Sequence, residues 1–170
     1  MKIPGRPSFT LIDHDGNEVT ETSYPGRYLL VFFGFTNCAM VCPRALSRLT
    51  DVLARLGADA DRIQPLYVSV DPQRDTPDAL KRFLMRAAPA FIGLTGTQQQ
   101  VDAARSAFHV FTERREDPSA PDGYVMPHTA ITYLVGPDGE FVAHFGDAVA
   151  ADEVCARIRH ILREAEQHAR

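Results

Sequence analysis

The chain has 170 residues, of which 45% are hydrophobic and 24% are charged, so we expect a soluble globular protein of roughly one domain. This composition excludes a disordered tail, a collagen and a coiled coil. The formal net charge is -4 with both signs mixed along the chain, so no basic stripe indicates a nucleic-acid or anionic-lipid ligand. The first residues lack the apolar stretch of a signal peptide, so we expect none in this sequence. The longest nearly continuous apolar run, 28–35, is much shorter than the ~18 residues of a membrane span.

The first third of the chain predicts a hairpin, a buried strand and a helix. Segments 9–12 and 18–20 flank a polar turn and predict a small β-hairpin. The continuously apolar run 28–33 predicts a strand buried on both faces, as in a parallel sheet. Apolar residues then recur with the helical period until Gly57, with Pro43 suited to the first helical position and Cys42 to the N-cap.

The remaining elements complete a recognisable order. Segment 63–70 predicts a strand, and Thr76 and Thr97 each open a helix, the second with a capping box. The charged segment 112–125 is expected to be an exposed loop, and a hairpin over 130–145 precedes a last helix. The order indicates a thioredoxin-like α/β fold, a central mixed sheet flanked by helices, with an N-terminal β-hairpin and an insertion. We expect a single domain over 1–170, with its core at about 9–166, and a monomer.

Two of the three cysteines lie where sulfur chemistry is favoured. Cys38 and Cys42 fall between a predicted buried strand and a helix N-terminus, where unpaired N–H groups and the helix dipole stabilise a thiolate. Their separation across this turn allows a disulfide or a metal chelate. The alternative is that both are ordinary core cysteines. Cys155 lies on the apolar stripe of the last helix and is expected to be a small buried hydrophobe.

One of the six histidines is a candidate ligand. His128 follows Pro127 and directly precedes a predicted strand, and in the thioredoxin arrangement the loop before that strand faces the cysteine turn. His128 would then complete a site of two sulfurs and one nitrogen; the alternative is a loop histidine without a ligand role. Thiolates select Cu(I), whereas imidazole supports Cu(II) or zinc. No sequence motif supports a hydrolase, nucleotide-binding or dinucleotide-binding protein.

Four motifs in order resemble the SCO/SenC proteins, copper chaperones for cytochrome c oxidase assembly. The similarity extends from about Phe9 to Phe145, and the matching segments are 32–43, 68–77, 91–97 and 128–141. The resemblance implies that Cys38 and Cys42 are the copper-binding thiols and that His128 is the imidazole ligand. It also implies a metallochaperone rather than an enzyme, carrying Cu(I), Cu(II) or both.

The resemblance further implies partners and a location. The acceptor would be a cytochrome c oxidase subunit that carries a copper site, and an upstream copper donor and a thiol reductant are further expected partners. The family is extracytoplasmic, in the periplasm or at the outer face of the inner membrane, and is normally tethered to the membrane. The family usually has His before the first cysteine, Pro-Asp after it and Asp before the metal histidine; this chain has Asn37, Ala39-Met40 and Pro127 at these positions.

An enzymatic function is the alternative hypothesis. In a thiol–disulfide oxidoreductase, Cys38 and Cys42 would be the catalytic redox pair that reduces cysteines of a partner protein, and a redox sensor would use the same pair. Both functions need the two cysteines but not His128. A thiol peroxidase is disfavoured because its T-x-x-C pattern would need Thr where this chain has Phe35.

Overall fold

The computed structural model describes residues 3–37, 41–120 and 122–170, and for Val41 and Cys42 it describes the backbone. Of the predicted site residues, Cys38 and the side chain of Cys42 therefore lie outside the described part of the chain. The helices are α1 (Val41–Leu56), α2 (Pro77–Ala87), α3 (Gln98–Ala107) and α4 (Ala151–His168). The strands are β1 (Thr10–Asp13), β2 (Glu18–Thr20), β3 (Tyr28–Gly34), β4 (Ile63–Ser69), β5 (Ile92–Thr95), β6 (Arg115–Glu116), β7 (Tyr124–Val125), β8 (Ile131–Val135) and β9 (Phe141–Gly146).

A seven-stranded mixed sheet forms the centre of the fold, with the strand order β2-β1-β5-β4-β3-β8-β9. Strands β3, β4 and β5 are parallel, whereas β8 pairs antiparallel with β3 and with β9. The N-terminal hairpin of β1 and β2 adds to the edge through β5. This arrangement confirms the predicted thioredoxin-like fold with its extra N-terminal hairpin.

Hydrophobic clusters cover both faces of the sheet. Helices α1, α2 and α4 pack on one face, while α3 and Phe108 pack on the other. Every residue of β3 is buried, as its continuous apolar run predicts. Cys155 is 4% exposed within the first cluster, which confirms that it is a small buried hydrophobe. No helix within the described ranges is long and apolar enough to cross a membrane.

The structure corrects three local expectations. Helix α1 begins at Val41, so Cys42 lies in its first turn rather than at the N-cap. Pro43 lies in the same turn, where backbone N–H groups have no acceptor within the helix, so the N–H that proline lacks is not missed. Strand β5 was not predicted; it pairs with β1 and β4 and depends on those neighbours. Segment 112–125 is not simply an exposed loop, because it contains the paired strands β6 and β7 and the buried residue Tyr124.

Candidate metal site

The fold brings His128 to the end of β3, from which the chain continues towards the cysteines. Strands β3 and β8 are antiparallel neighbours, so the residues after β3 lie beside those before β8. The rings of Phe35 and His128 meet edge to face, with their centroids 5.8 Å apart. The predicted proximity of the His128 loop to the start of the cysteine turn is therefore present in the structure.

The two ring nitrogens of His128 differ in their hydrogen bonding. Nδ1 lies 3.0 Å from the carbonyl oxygen of Met126. Because a carbonyl only accepts hydrogen bonds, Nδ1 donates, and Nε2 of the neutral ring carries the lone pair. Nε2 is buried and has no hydrogen-bond partner among the described residues. Metal-binding histidines usually donate one ring N–H to a group such as a backbone carbonyl, which fixes the tautomer. The other ring nitrogen then has its lone pair available for the metal.

His128 lies on one of two antiparallel segments, 111–117 and 123–129, which we together call the His128 hairpin. His128 forms a bridge with Thr112. On either side of the bridge, Thr129 N donates to Phe111 O at 2.9 Å and Glu113 N donates to Pro127 O at 3.0 Å. Further out, β6 pairs with β7. The imidazole is therefore carried by a hydrogen-bonded ladder rather than by an irregular loop.

The loop after β4 holds the beginning of the cysteine turn. Asp75 is fully buried and accepts hydrogen bonds from Thr36 Oγ1 at 2.6 Å, Thr36 N at 3.2 Å and Ser69 Oγ at 2.7 Å. Burial raises the pKa of the Asp75 carboxyl above its ordinary value of 3.8, and the hydrogen bonds from Thr36 and Ser69 oppose the rise. Thr36, two residues before Cys38, is thus anchored to the core by a carboxyl group.

The same loop also holds the His128 hairpin. Asp71 is buried, and it accepts hydrogen bonds from Arg74 Nε and from the hydroxyl of Tyr124, the latter at 3.1 Å. The guanidinium carbon of Arg74 lies 3.9 Å from the centre of the Tyr124 ring and 5.7 Å from that of Phe35. A cation at these distances is attracted to an aromatic face. Arg74 also donates through Nη1 to Asp122 and to the carbonyl of Tyr124.

Sequence reasoning missed this supporting role of Asp71, Arg74, Asp75 and Tyr124. The available signal was two acidic residues and an arginine directly after a buried strand, where unpaired charges are rarely tolerated. Among the described residues, no group of three or more His, Cys, Asp or Glu side chains is arranged to hold a metal ion. A site built from Cys38, Cys42 and His128 stays a prediction, since both sulfur atoms lie outside that part of the chain.

The chain is similar to proteins of one family along nearly its whole length. Residues 3–163 match the family model for SCO1/SenC. The human mitochondrial SCO1 homologue is 36% identical over 157 residues, which cover 91% of this chain and 52% of that protein. An SCO2-like protein of Rickettsia conorii is 37% identical over 145 residues, covering 85% of this chain and 70% of that one. The chain spans about half the length of the human and mouse SCO1 homologues.

Solved structures agree with the sequence relatives. Yeast Sco1 with copper bound is 32% identical and superimposes with a TM-score of 0.86, covering 98% of this chain and 95% of the other. ScoI of Bradyrhizobium japonicum with copper bound is 34% identical with a TM-score of 0.82, covering 92% and 99%. With this fold, this extent of identity and a family-model match over 3–163, the chain belongs to the SCO1/SenC family.

Proposed function

We propose that this chain is a copper metallochaperone. In the proposal it holds one copper ion through Cys38, Cys42 and His128 and delivers it to the copper site of a cytochrome c oxidase subunit. Solved relatives from yeast and Bradyrhizobium japonicum hold copper. A further relative is named as a member of a family of cytochrome c oxidase assembly proteins, at 27% identity and a TM-score of 0.70.

The observation that carries the proposal is the environment of His128. Its Nε2 is buried, carries the ring's lone pair and has no hydrogen-bond partner among the residues described. A buried acceptor without a partner costs free energy, and a bound metal ion would remove this cost. Its ring contacts Phe35, three residues before Cys38, and Cys42 lies in the first turn of α1. In the proposal, this nitrogen and the thiolates of Cys38 and Cys42 form a donor set that suits copper.

Copper transfer in this proposal needs no catalytic turnover. Two thiolates and one imidazole satisfy Cu(I) while leaving room for ligands of an acceptor, so the ion moves by stepwise ligand exchange. If an oxidant removes two electrons from the cysteine pair, a disulfide forms and both sulfur ligands are lost. Protonation of His128 or of the thiols also weakens binding, because each ligand must be deprotonated.

The proposal includes a location and partners. The human SCO1 homologue and yeast SCO2 are named as mitochondrial proteins. We propose an extracytoplasmic, membrane-tethered protein that meets an upstream copper donor, a thiol reductant and the oxidase subunit. The proposed oligomeric state is a monomer.

An anaerobic Cu(I) titration of the fully reduced chain against a competing chelator tests the copper site. We expect one tightly held copper ion per chain, loss of binding in Cys38→Ser/Cys42→Ser and weaker binding in His128→Ala. Cys155→Ser is the matched control, because this buried thiol lies on α4 within the core and should not change the stoichiometry. A wild-type chain that fails to compete with the chelator would contradict the proposal.

Thiol–disulfide exchange is the second candidate function. The position of Cys42 in the first turn of α1 favours a thiolate, and one structural neighbour is described as containing a disulfide switch. In that reaction a thiolate of the pair attacks a partner's disulfide, and the other cysteine resolves the mixed disulfide. The partner leaves as a dithiol, and the Cys38–Cys42 pair is left oxidised. If His128→Ala weakens copper binding but leaves the rate of thiol–disulfide exchange unchanged, the two functions are separated.

A further inference from the structure

A buried polar cluster joins the outer half of the His128 hairpin to the body of the protein. The cluster consists of Asp71 and Arg74 in the loop after β4 and Tyr124 in β7. Asp71 and Tyr124 are buried, and the Arg74 side chain is only 11% exposed. Interactions between charged groups that are removed from water are stronger than those at the surface. The cluster is therefore positioned to set where the outer half of the hairpin lies.

Arg74 is connected to His128 by two routes. Along the hairpin, it holds Tyr124, and the chain then runs through Met126, whose carbonyl accepts the hydrogen bond from His128 Nδ1. Across the site, its guanidinium lies near the ring of Phe35, which packs against the ring of His128. Displacement of Arg74 would release both the segment that supplies the Met126 carbonyl and one neighbour of the imidazole.

We propose that Arg74 is a positioning residue that acts through Tyr124 and Phe35 to hold His128 in the tautomer with its proton on Nδ1 and its Nε2 lone pair free. Asp71 fixes the guanidinium, since it accepts from Arg74 Nε and from the Tyr124 hydroxyl. Because the copper consequence of this role depends on the proposed function, the test has one measurement without metal and one with copper.

The measurement without metal is the tautomer of His128 in the reduced apo protein, read from the ring ¹⁵N shifts. A neutral imidazole in water prefers the proton on Nε2, whereas the Met126 carbonyl holds it on Nδ1. We expect a dominant Nδ1–H tautomer in the wild type and a shift towards Nε2–H in Arg74→Gln. Tyr124→Phe, which removes only the hydroxyl that donates to Asp71, should shift it less and guards against a failure of Arg74→Gln to fold.

Arg105→Gln is the matched control. Arg105 pairs with Asp102, three residues before it, just as Arg74 pairs with Asp71. The Arg105 side chain is 21% exposed and the Arg74 side chain 11%. It lies on α3 and makes no contact with the His128 hairpin among the interactions of the described residues. Its loss should lower stability without changing the His128 tautomer. An unchanged tautomer in both folded Arg74→Gln and Tyr124→Phe, or an equal shift in Arg105→Gln, would overturn the proposal.

The measurement with copper is a double-mutant cycle. Loss of a residue that orients a metal ligand typically weakens metal affinity by about 10- to 100-fold, and we expect Arg74→Gln to do so. In a chain that already carries His128→Ala, Arg74→Gln should change the copper affinity little further, because the imidazole that Arg74 positions is absent. Equal losses in the two backgrounds would refute action through His128. If the wild type binds no copper, the proposed function fails, and the tautomer still decides the role of Arg74.

Discussion

Substitution of Asp75 should measure how strongly this buried carboxyl group stabilises the start of the cysteine turn. Its carboxyl group accepts from the backbone and the hydroxyl of Thr36 and from the hydroxyl of Ser69. Asp75→Ala leaves these donors inside the protein, and each unsatisfied group costs about 1–3 kcal/mol, although a hydroxyl can rotate to another acceptor. We therefore expect the free energy of unfolding to fall by about 3 kcal/mol or more.

Asp75→Asn is the more informative variant because it keeps the shape and one acceptor oxygen. We expect it to cost about 1–2 kcal/mol, since its amide group must face a hydroxyl that accepts. The folded-state pKa of Asp75 is raised above 3.8, so its protonated form is favoured in the folded protein. The stabilisation from that proton is complete below the unfolded pKa and is lost as the pH rises through the folded pKa. The cost of Asp75→Asn should therefore shrink as the pH rises from about 4 through the raised folded-state pKa of Asp75.

The assay is urea unfolding of the reduced, copper-free chain, because a bound metal would add its own stabilisation. Asp61→Asn, at an exposed position, is the control for the change in net charge and should stay within about 0.5 kcal/mol of the wild type. Either of two results would refute the reasoning: both Asp75 variants as stable as the wild type, or a cost of Asp75→Asn that grows as the pH rises.

Three further predictions concern the scaffold, each measured by thermal or urea unfolding. His109 has φ 57° at the end of α3, where Val110 N bonds Arg105 O, so His109→Gly should stabilise the fold by up to about 1 kcal/mol; a loss of stability would contradict this. A Cβ on Gly93 would lie 2.9 Å from Leu84 Cδ1 and 3.1 Å from Leu80 Cβ, so Gly93→Ala should cost about 1–3 kcal/mol; a neutral result would contradict this. Thr97 caps α3 through a capping box, so Thr97→Ala should cost about 0.5–2 kcal/mol and Thr97→Ser much less.

Elements with a strong local pattern were predictable from the sequence. Strand β3 is recognisable because its buried residues form one continuous apolar run. Helix α1 is recognisable because its apolar residues recur with the helical period. The capping box at Thr97 is equally local, because its two hydrogen bonds join residues three apart. The polar turn of the N-terminal hairpin is recognisable for the same reason.

Elements that depend on distant neighbours were not predictable. Strand β5 has four residues and includes Gly93, so it carries too little periodicity to be recognised; its pairing with β1 and β4 makes it a strand. Strands β6 and β7 have two residues each, and their charged surroundings resemble a solvated loop. Tyr124 is buried there against partners from a distant segment, Asp71 and Arg74 in the loop after β4.

The candidate site divides in the same way. Residue types and their placement between a strand and a helix were enough to select Cys38, Cys42 and His128 as candidates, because thiolate and imidazole chemistry belongs to the residues themselves. The tertiary structure alone showed that the His128 ring contacts Phe35 and that its Nε2 has no hydrogen-bond partner in the part of the chain that is described. It alone also paired Tyr124 with Asp71, 53 positions away, because hydrogen bonds between distant segments leave no periodic trace in a sequence.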